Sequence, residues 1–431
     1  MKLINYLAAG ACLLSASLCS CSSDDPTPEP DVTNPNTGVA PQTPAEEKNY
    51  IDETASSLAQ LLKPADQAPV VNFAADFARE FSGFDFDEAP YMQAAGSGMQ
   101  NLAKAVKSYD WAGMTRAIRE FTFRFDDFAG IYEPDYARHR WVKTGESSDL
   151  IVRCKVGGMP AELIVAPSDG TWTGDIQTEA YDWEADEDYL AQMHFIVPKT
   201  LTVNLTHGSV KLVSALVKTN VSQKDNKAYA YVDANVANIH VISESNLSNS
   251  RVSAHAESYI SGVPVYDTDG VLYGNHLCDI DYIAAIAENE DNIDTLFDRG
   301  SASANIMKRI FVEGAVKDIY NLSTYIDESD LEYDTRDEAQ AGADFLNGKM
   351  HANFYMGGAK TPTGYMLWRP VRYVDDWYPM EYEWSVAPML HFNSDNSDYS
   401  VDDYFTHSTF GGIVRMFNAL IDEYESFFDF D

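Results

Sequence analysis

Long runs of alternating apolar and polar residues between positions 138 and 280 constrain the fold more than any other feature of this chain. A period of two places every second side chain on the same face of an extended strand, so each run predicts a strand with one apolar and one polar face. The clearest runs begin at Leu201, Ala230 and Val252. The turn sequences in this region are His207-Gly208-Ser209, Asp169-Gly170 and Asp267-Thr268-Asp269-Gly270. Their hairpin-like spacing favours an antiparallel sheet.

The apolar positions of two of these strands are small, because alanine and valine occupy places where leucine and phenylalanine are usual. Examples are Ala230 and Ala234 in one strand and Ala254 and Ala256 in the next. Small side chains allow a large group to lie close to a sheet. We therefore expect aromatic helices to pack on this face.

Helical patterns precede the alternating region, over residues 48–130. The clearest one begins at Asp110, a good N-cap residue. Apolar side chains then recur every three or four positions, at Trp111, Met114, Ile118, Phe121, Phe125 and Phe128. This pattern predicts a helix packed on the core, although residues 121–125 also alternate and fit a strand.

Further patterns follow the alternating region. Residues 293–346 are predicted to be helical, with a capping box at Thr335–Glu338. Residues 350–392 are predicted to form strands, and residues 403–428 a closing amphipathic helix. The sequence thus predicts an α+β fold, with long antiparallel amphipathic strands in one or two sheets packed against helices from the N-terminal, middle and C-terminal segments. One composite domain over residues 48–431 and two related halves both fit this order, and the lack of a linker favours one domain.

The first 20 residues have the features of a secretory leader. Lys2 gives a positive start, and Leu3–Leu18 form an apolar stretch too short to cross a bilayer as a mature helix. The sequence Leu18-Cys19-Ser20-Cys21 ends it. This quartet resembles a bacterial lipobox, in which a leucine stands three residues before the cysteine that receives the lipid. The resemblance implies lipidation of Cys21, and a plain secretory signal is the alternative.

The sequence Ser22-Ser23-Asp24-Asp25 directly follows that cysteine. Serines followed by acids at this place are similar to the export tag of Bacteroidetes surface lipoproteins. The resemblance implies attachment to the outer face of the outer membrane, with the periplasmic face as the alternative.

Six prolines among polar residues make residues 21–47 a predicted disordered tether, which would reach about 80 Å in an extended polyproline conformation.

Charge and cysteine content limit the partners and the bonding of the folded part. The formal net charge of −37 argues against nucleic acid and against an anionic membrane surface as partners. Beyond the leader, no stretch of sequence is long and apolar enough to be a transmembrane helix, so the lipid on Cys21 is the predicted membrane contact. For Cys154 and Cys278, a mutual disulfide and two free thiols are both open.

The sequence lacks the motifs of a nucleophile elbow, a zinc protease, a phosphate-binding loop and a dinucleotide-binding fold, so no catalytic residue is predicted. Its nine histidines are scattered singly. Three of them, His194, His240 and His255, are expected to be hydrogen-bonded structural residues within strands. The carboxylate pair of a glycoside hydrolase cannot be distinguished among 67 acidic residues.

An aromatic segment from residue 365 to residue 384 is the predicted ligand-binding site. Aromatic faces beside hydrogen-bonding side chains suit sugar rings. The predicted ligand-binding residues are Tyr365, Trp368, Trp377, Tyr378 and Trp384. Core or cross-strand packing is the alternative, because aromatic residues also favour strands.

Acidic residues before the closing helix give a metal prediction. They are Asp395, Asp398, Asp402 and Asp403. Clustered carboxylates can bind Ca²⁺, but the loop lacks the glycine and glutamate of an EF-hand, and a helix dipole also favours acids there.

Taken together, the sequence predicts a non-catalytic surface lipoprotein that binds an extracellular ligand such as a glycan. A glycoside hydrolase and an adhesion or structural surface protein are the alternatives.

Overall fold

The structure is a computed structural model of the chain, and it describes ten stretches of sequence. These are residues 40–41, 43–84, 120–182, 187–222, 226–279, 295–374, 382–400, 412, 415–419 and 421. Several residues singled out above lie outside the described residues, namely Cys21, Trp377, Tyr378, Asp402 and Asp403. The predicted tether up to residue 39 and the predicted helix from Asp110 to residue 119 lie outside them as well.

Strands dominate the described residues. The strands are β1 (Glu120–Arg124), β2 (Gly130–Asp135), β3 (Arg140–Gly145), β4 (Leu150–Val156), β5 (Met159–Asp182), β6 (Glu187–His207), β7 (Val210–Ser222), β8 (Lys227–Val236), β9 (Ile239–Ser248), β10 (Arg251–Ile260), β11 (Val263–Gly274), β12 (Phe297–Ile306), β13 (Ile310–Lys317), β14 (Glu332–Tyr333), β15 (Met350–Met356), β16 (Gly364–Val374), β17 (Tyr382–Phe392) and β18 (Ser397–Ser400). The helices are α1 (Pro44–Leu61), α2 (Pro64–Phe81), α3 (Phe125–Phe128), α4 (Ile319–Ser329) and α5 (Arg336–Lys349).

All these strands belong to one mixed sheet. From β4 to β13 each strand pairs antiparallel with the next one in the chain, and the series continues through β15, β16, β17 and β18. Parallel pairing occurs between β1 and β6 and between β2 and β4. The predicted alternation of Ala230–Val236 and Val252–Ala256 is confirmed as β8 and β10, since these segments pair antiparallel on either side of β9.

The predicted turn sequences have three different outcomes. His207-Gly208-Ser209 forms the turn between β6 and β7, with Gly208 at a positive φ of 60°. Asp169-Gly170 lies at a register shift within β5, where both residues have positive φ. Asp267-Thr268-Asp269-Gly270 is not a turn, because all four residues pair with β10 on one side and β12 on the other. The prediction of a turn here was wrong. Asp267 and Asp269 lie in the middle of the sheet, between β10 and β12.

The two faces of the sheet differ in composition from β7 to β13. One face, called the apolar face below, carries small residues in register across neighbouring strands: Val217, Val232, Ser243, Ala256, Thr268 and Ala304. The opposite face, called the polar face, carries charged, amide and aromatic side chains. Most side chains of β8, β9 and β10 are only half-buried. Both faces of these strands therefore retain contact with solvent.

Helices pack against limited parts of the sheet. The largest cluster of buried side chains joins α4 and α5 to β16 and β17, and it includes Leu322, Ile326, Ala339, Ala343, Leu346, Trp368 and Val386. A second cluster joins α2 to the strands from β3 to β5 through Phe81, Phe84, Trp141, Val156 and Ala161. A third consists of Met356 and Phe392, with Tyr50 and Ile51 of α1 against it. Among the described residues, these three clusters share no side chain.

The predicted α+β fold is therefore wrong. The described chain is mostly one large mixed sheet rather than helices packed against one or two sheets. Part of the error is local, because residues 293–346 were predicted to be helical and instead begin with strands β12 and β13. Residues such as Ala302 and Ala304 favour helices in isolation, but here they pair on both sides within the sheet.

Other local predictions can be compared directly with the structure. The capping box is confirmed, since the Thr335 side chain accepts from the Glu338 amide and the Glu338 side chain accepts from the Thr335 amide. Residues 120–124 form strand β1, which was the alternative to a helix there. The predicted tether is too long, because α1 begins at Pro44 and the Glu47 side chain is buried.

Neither folded-part cysteine forms a disulfide. Cys154 packs beside the second cluster, and burial raises its thiol pKa to about 11. Burial also raises the pKa of Cys278, which follows β11. The described helices all fall short of the length and apolarity that a membrane-spanning segment needs.

Candidate functional site

A continuous row of polar and aromatic side chains crosses the polar face. Directly paired residues on successive strands form it: Lys218, Tyr231, Glu244, His255, Asp269, Ser303, Glu313, Asn353, Tyr365, His391 and Asp398. Adjacent strands lie about 4.8 Å apart, so these eleven side chains span roughly 48 Å. The row concentrates hydrogen-bonding groups along one line of the sheet.

Near the middle of the row, four side chains form a group that we call the histidine cluster: His255, Glu257, Asp267 and Asp269. His255 Nδ1 lies 3.0 Å from Asp269 Oδ1, and His255 Nε2 lies 3.1 Å from Glu257 Oε1. The other oxygen of Glu257 accepts a hydrogen bond from the Tyr259 hydroxyl. One ligand atom each from His255, Asp267 and Asp269 lies within 4.8 Å of the other two. These three residues could therefore hold a metal ion.

Negative charge is crowded in the histidine cluster. Glu257 and Asp267 are directly opposite one another on β10 and β11, and Glu244 is directly opposite His255 on β9. Like charges at directly paired positions destabilise a sheet. Burial raises the pKa of Asp267, and the carboxylates of Asp269 and Glu257 raise it further against the opposing effect of His255. The cluster therefore favours a positively charged partner.

His255 supplies part of that positive charge. Its hydrogen bond to Asp269 raises the imidazole pKa to about 9, with the bond to Glu257 acting in the same direction and burial opposing both. His255 is therefore protonated at neutral pH and donates from both ring nitrogens. The hydrogen bond from Tyr259 lowers the pKa of Glu257, which keeps that carboxylate ionised.

A pocket adjoins the histidine cluster through Tyr259, and we call it the His240 pocket. It has a volume of ≈ 470 Å³. Its lining residues are Asn235, Ala237, Asn238, His240, Ile242, Tyr259, Ser261 and Gly262. The His240 and Tyr259 rings stack with centroids 5.7 Å apart and planes 26° from parallel, and His240 Nε2 lies 2.9 Å from Asp233 Oδ1. The pocket is more open to solvent than enclosed, so a ligand would lie on it with one face exposed.

The pocket combines flat rings with hydrogen-bonding groups. The Asn238 amide donates to Ser261 Oγ over 2.8 Å, which fixes one amide and one hydroxyl at the rim. Asn235 lies directly opposite His240 on β8. An aromatic ring beside amide and hydroxyl groups can bind a sugar, because the ring contacts C–H faces while the polar groups contact hydroxyls.

The predicted aromatic site does not come together as a binding surface in the described residues. Trp368 is 7% exposed and belongs to the largest core cluster, and Trp384 packs against the same cluster. Tyr365 lies on the polar face, where its ring is 4.6 Å from the His391 ring. Core packing, the alternative given above, accounts for Trp368 and Trp384.

The two described residues of the predicted Ca²⁺ site already have partners. Asp398 accepts hydrogen bonds from Arg369 and His391, and its distance to His391 Nδ1 is 2.7 Å. Asp395 accepts from the backbone amide and the hydroxyl of Ser397, which closes a local turn. Protein groups thus occupy both carboxylate oxygens of Asp398 and one of the two of Asp395.

The hydrogen bonding of His240 and His255 was predicted from sequence, whereas the two sites around them were not. Asp267 and Asp269 were attributed to a turn, which hid their position opposite His255 and Glu257. The signal that could have found them is the alternation itself, because His255-x-Glu257-x-Tyr259 and Asp267-x-Asp269 each place side chains on one face of a strand.

Comparisons with models of protein families, with curated proteins and with solved structures gave no match to this chain.

Proposed function

We propose that the protein is a non-catalytic lipoprotein of the outer membrane, displayed at the cell surface, that binds an extracellular glycan in the His240 pocket. The observation that carries the proposal is the stacked pair of His240 and Tyr259 beside the amide and hydroxyl groups of Asn238 and Ser261. The lipobox-like sequence ending at Cys21 supports the location, and the proline-rich segment after it supports a distance between membrane and sheet.

The charge of the protein limits which glycans fit. A formal net charge of −37 repels anionic polysaccharides at long range. The pocket itself adjoins the acidic histidine cluster through Tyr259. A neutral polysaccharide is therefore the expected ligand class.

Replacing Tyr259 with alanine is expected to weaken glycan binding about tenfold or more, since aromatic anchors dominate binding energy. The measurement is affinity electrophoresis of the purified full chain in gels that contain amylopectin, xylan, galactomannan or laminarin. His240→Ala is expected to weaken binding to the same polysaccharide, because it removes the second ring of the pair.

Tyr365→Ala is the matched control for this experiment. Tyr365 is the same residue type on the same face, five strand spacings or about 24 Å from β10. Its replacement is expected to leave the retardation unchanged. The absence of retardation by every polysaccharide, or an equal loss in all three variants, would contradict the proposal. Release of reducing sugar from any polysaccharide would support a glycoside hydrolase instead.

Membrane attachment gives an independent prediction. Cys21→Ala is expected to abolish incorporation of radiolabelled palmitate and to move the protein out of the membrane fraction, because the thiol is the proposed site of lipid attachment. Cys19→Ala is the matched control and is expected to retain both properties. Membrane recovery of the Cys21→Ala chain without bound lipid would contradict the anchor. Protease treatment of intact cells then tests which face of the membrane carries the protein.

A further inference from the structure

We infer that the histidine cluster is a binding site for a divalent first-row transition ion of the Zn²⁺ type, held by His255, Asp267 and Asp269 with the Asn305 amide oxygen as a further ligand. This inference is independent of glycan binding and of the membrane anchor. It concerns the middle of the polar face, where β10, β11 and β12 pair.

The three primary ligands are already close together. Their ligand atoms lie within 4.8 Å of one another, and His255 Nδ1 is 3.0 Å from Asp269 Oδ1. Zinc bonds of about 2.0–2.1 Å in a tetrahedral site put neighbouring ligand atoms roughly 3.4 Å apart. Small side-chain movements would therefore bring the three ligand atoms to the separations that one zinc ion requires. Asp269 can make such a movement, because its side chain is 70% exposed.

Asn305 provides a second and independent indication of a ligand. It lies directly opposite Asp267 on β12, so the two side chains share the polar face. Asn305 is only 4% exposed, and both its amide nitrogen and its amide oxygen are buried without a hydrogen-bond partner in the described part of the chain. Buried polar atoms are nearly always paired in proteins. A metal ion beside Asp267 would give the amide oxygen a partner.

The charges around the site also favour a cation. Glu257 and Asp267 are directly paired, and Asp269 and Glu244 flank His255 on the two neighbouring strands. Lys308 contributes one nearby positive charge toward Glu257 and Asp267. A dication among these carboxylates would turn a repulsive arrangement into an attractive one.

The donor set determines the class of metal. Imidazole nitrogen is a preferred ligand of zinc and of other first-row transition ions, whereas Ca²⁺ and Mg²⁺ prefer sites made entirely of oxygen. One histidine with two carboxylates and an amide oxygen fits the first class. On binding, the ion would displace the proton that His255 Nδ1 shares with Asp269, whereas the Nε2 proton would stay in the hydrogen bond to Glu257, which orients the ring.

Isothermal titration calorimetry of the metal-stripped, untagged full chain tests the inference, with ZnCl₂ as the probe and CaCl₂ and MgCl₂ in parallel titrations. The expected result is one Zn²⁺ bound per chain, with Asp267→Asn and Asp269→Asn each weakening binding at least about tenfold. Asn305→Ala is expected to weaken binding, and Asn305→Asp to strengthen it. Co²⁺ bound in the same site is expected to show the visible absorption bands of a four-coordinate ion.

His240→Gln is the matched control, since His240 is also paired with an aspartate on this face but has no second aspartate in reach among the described residues. It is expected to leave zinc binding unchanged. Circular dichroism checks that each variant is folded. No zinc binding, or equal zinc binding by wild type, Asp267→Asn and Asp269→Asn, would overturn the site. Tighter binding of Ca²⁺ than of Zn²⁺ through these residues would overturn the metal class.

Discussion

Replacing Trp368 with alanine is expected to lower the free energy of unfolding by about 3–5 kcal/mol, the usual cost of removing a large buried aromatic side chain. Trp368 is 7% exposed and packs with the buried side chains of α4 and α5. Its backbone is also fixed, because its amide donates to Asn347 Oδ1 over 2.7 Å and its carbonyl accepts from Asn347 Nδ2 over 2.9 Å. Urea denaturation monitored by circular dichroism measures the change.

Trp368→Phe is the matched control. It keeps an aromatic ring in the core and removes the indole N–H, which is buried without a partner among the described residues. Because an unsatisfied buried donor is itself unfavourable, we expect the loss to stay below about 2 kcal/mol. A Trp368→Ala chain that unfolds at the same urea concentration as wild type would contradict the core assignment and would return this side chain to the candidates for ligand binding.

Replacing Glu47 with glutamine is expected to stabilise the protein at high pH. Glu47 is fully buried in the first turn of α1, where one carboxylate oxygen accepts from Ser394 Oγ over 3.1 Å and the other has no partner in the described chain. Burial raises the pKa of this carboxyl to about 7, and the nearby charges of Asp395 and Glu46 act in the same direction. The folded protein therefore holds a proton on Glu47 more tightly than the unfolded chain does.

The sign of the pH dependence follows from that raised pKa. The stability contributed by protonated Glu47 is fully present below the unfolded pKa of about 4.5 and is lost as the pH rises through about 7. Glutamine mimics the protonated form at every pH. We therefore expect Glu47→Gln to exceed wild type by about 2–3 kcal/mol at pH 8.5 and to match it at pH 4.

Urea unfolding curves across this pH range, with Glu46→Gln as the control, test the prediction. Glu46 is the exposed neighbour in the same helical turn and makes the smallest contribution to the raised pKa of Glu47, so its replacement is expected to leave most of the pH dependence of unfolding in place. A constant difference between Glu47→Gln and wild type from pH 4 to pH 8.5 would contradict the account of Glu47.

The regular middle of the sheet could be predicted from sequence because apolar and polar residues alternate along its strands. In β8, alanine and valine alternate with lysine, tyrosine, aspartate and asparagine over ten positions. In β10, valine and alanine alternate with polar residues up to Glu257, and pairing through β9 preserves both alternations. The capping box at Thr335 is similarly local, since both of its hydrogen bonds join residues three positions apart. Patterns that depend on near neighbours in sequence are visible without a structure.

Predictions failed where distant partners decide the structure. Asp267-Thr268-Asp269-Gly270 has the composition of a turn, but β10 and β12 supply partners on both sides and keep it extended. Trp368 was predicted to bind a ligand because it lies in a segment rich in aromatic and charged residues. The helices α4 and α5 cover it instead. The histidine cluster joins residues 14 positions apart, and only the register between β10 and β11 brings them together.

Amide hydrogen exchange with a bound oligosaccharide determines whether the ligand site lies on the polar face at the His240 pocket. The probe is an oligosaccharide prepared from the polysaccharide that most retards the protein in affinity electrophoresis. We expect slowed exchange in residues 235–242 and 259–262, which form the two turns that line the pocket and the strand ends beside them. Slowed exchange confined to residues 365–392, with the pocket unaffected, would contradict it.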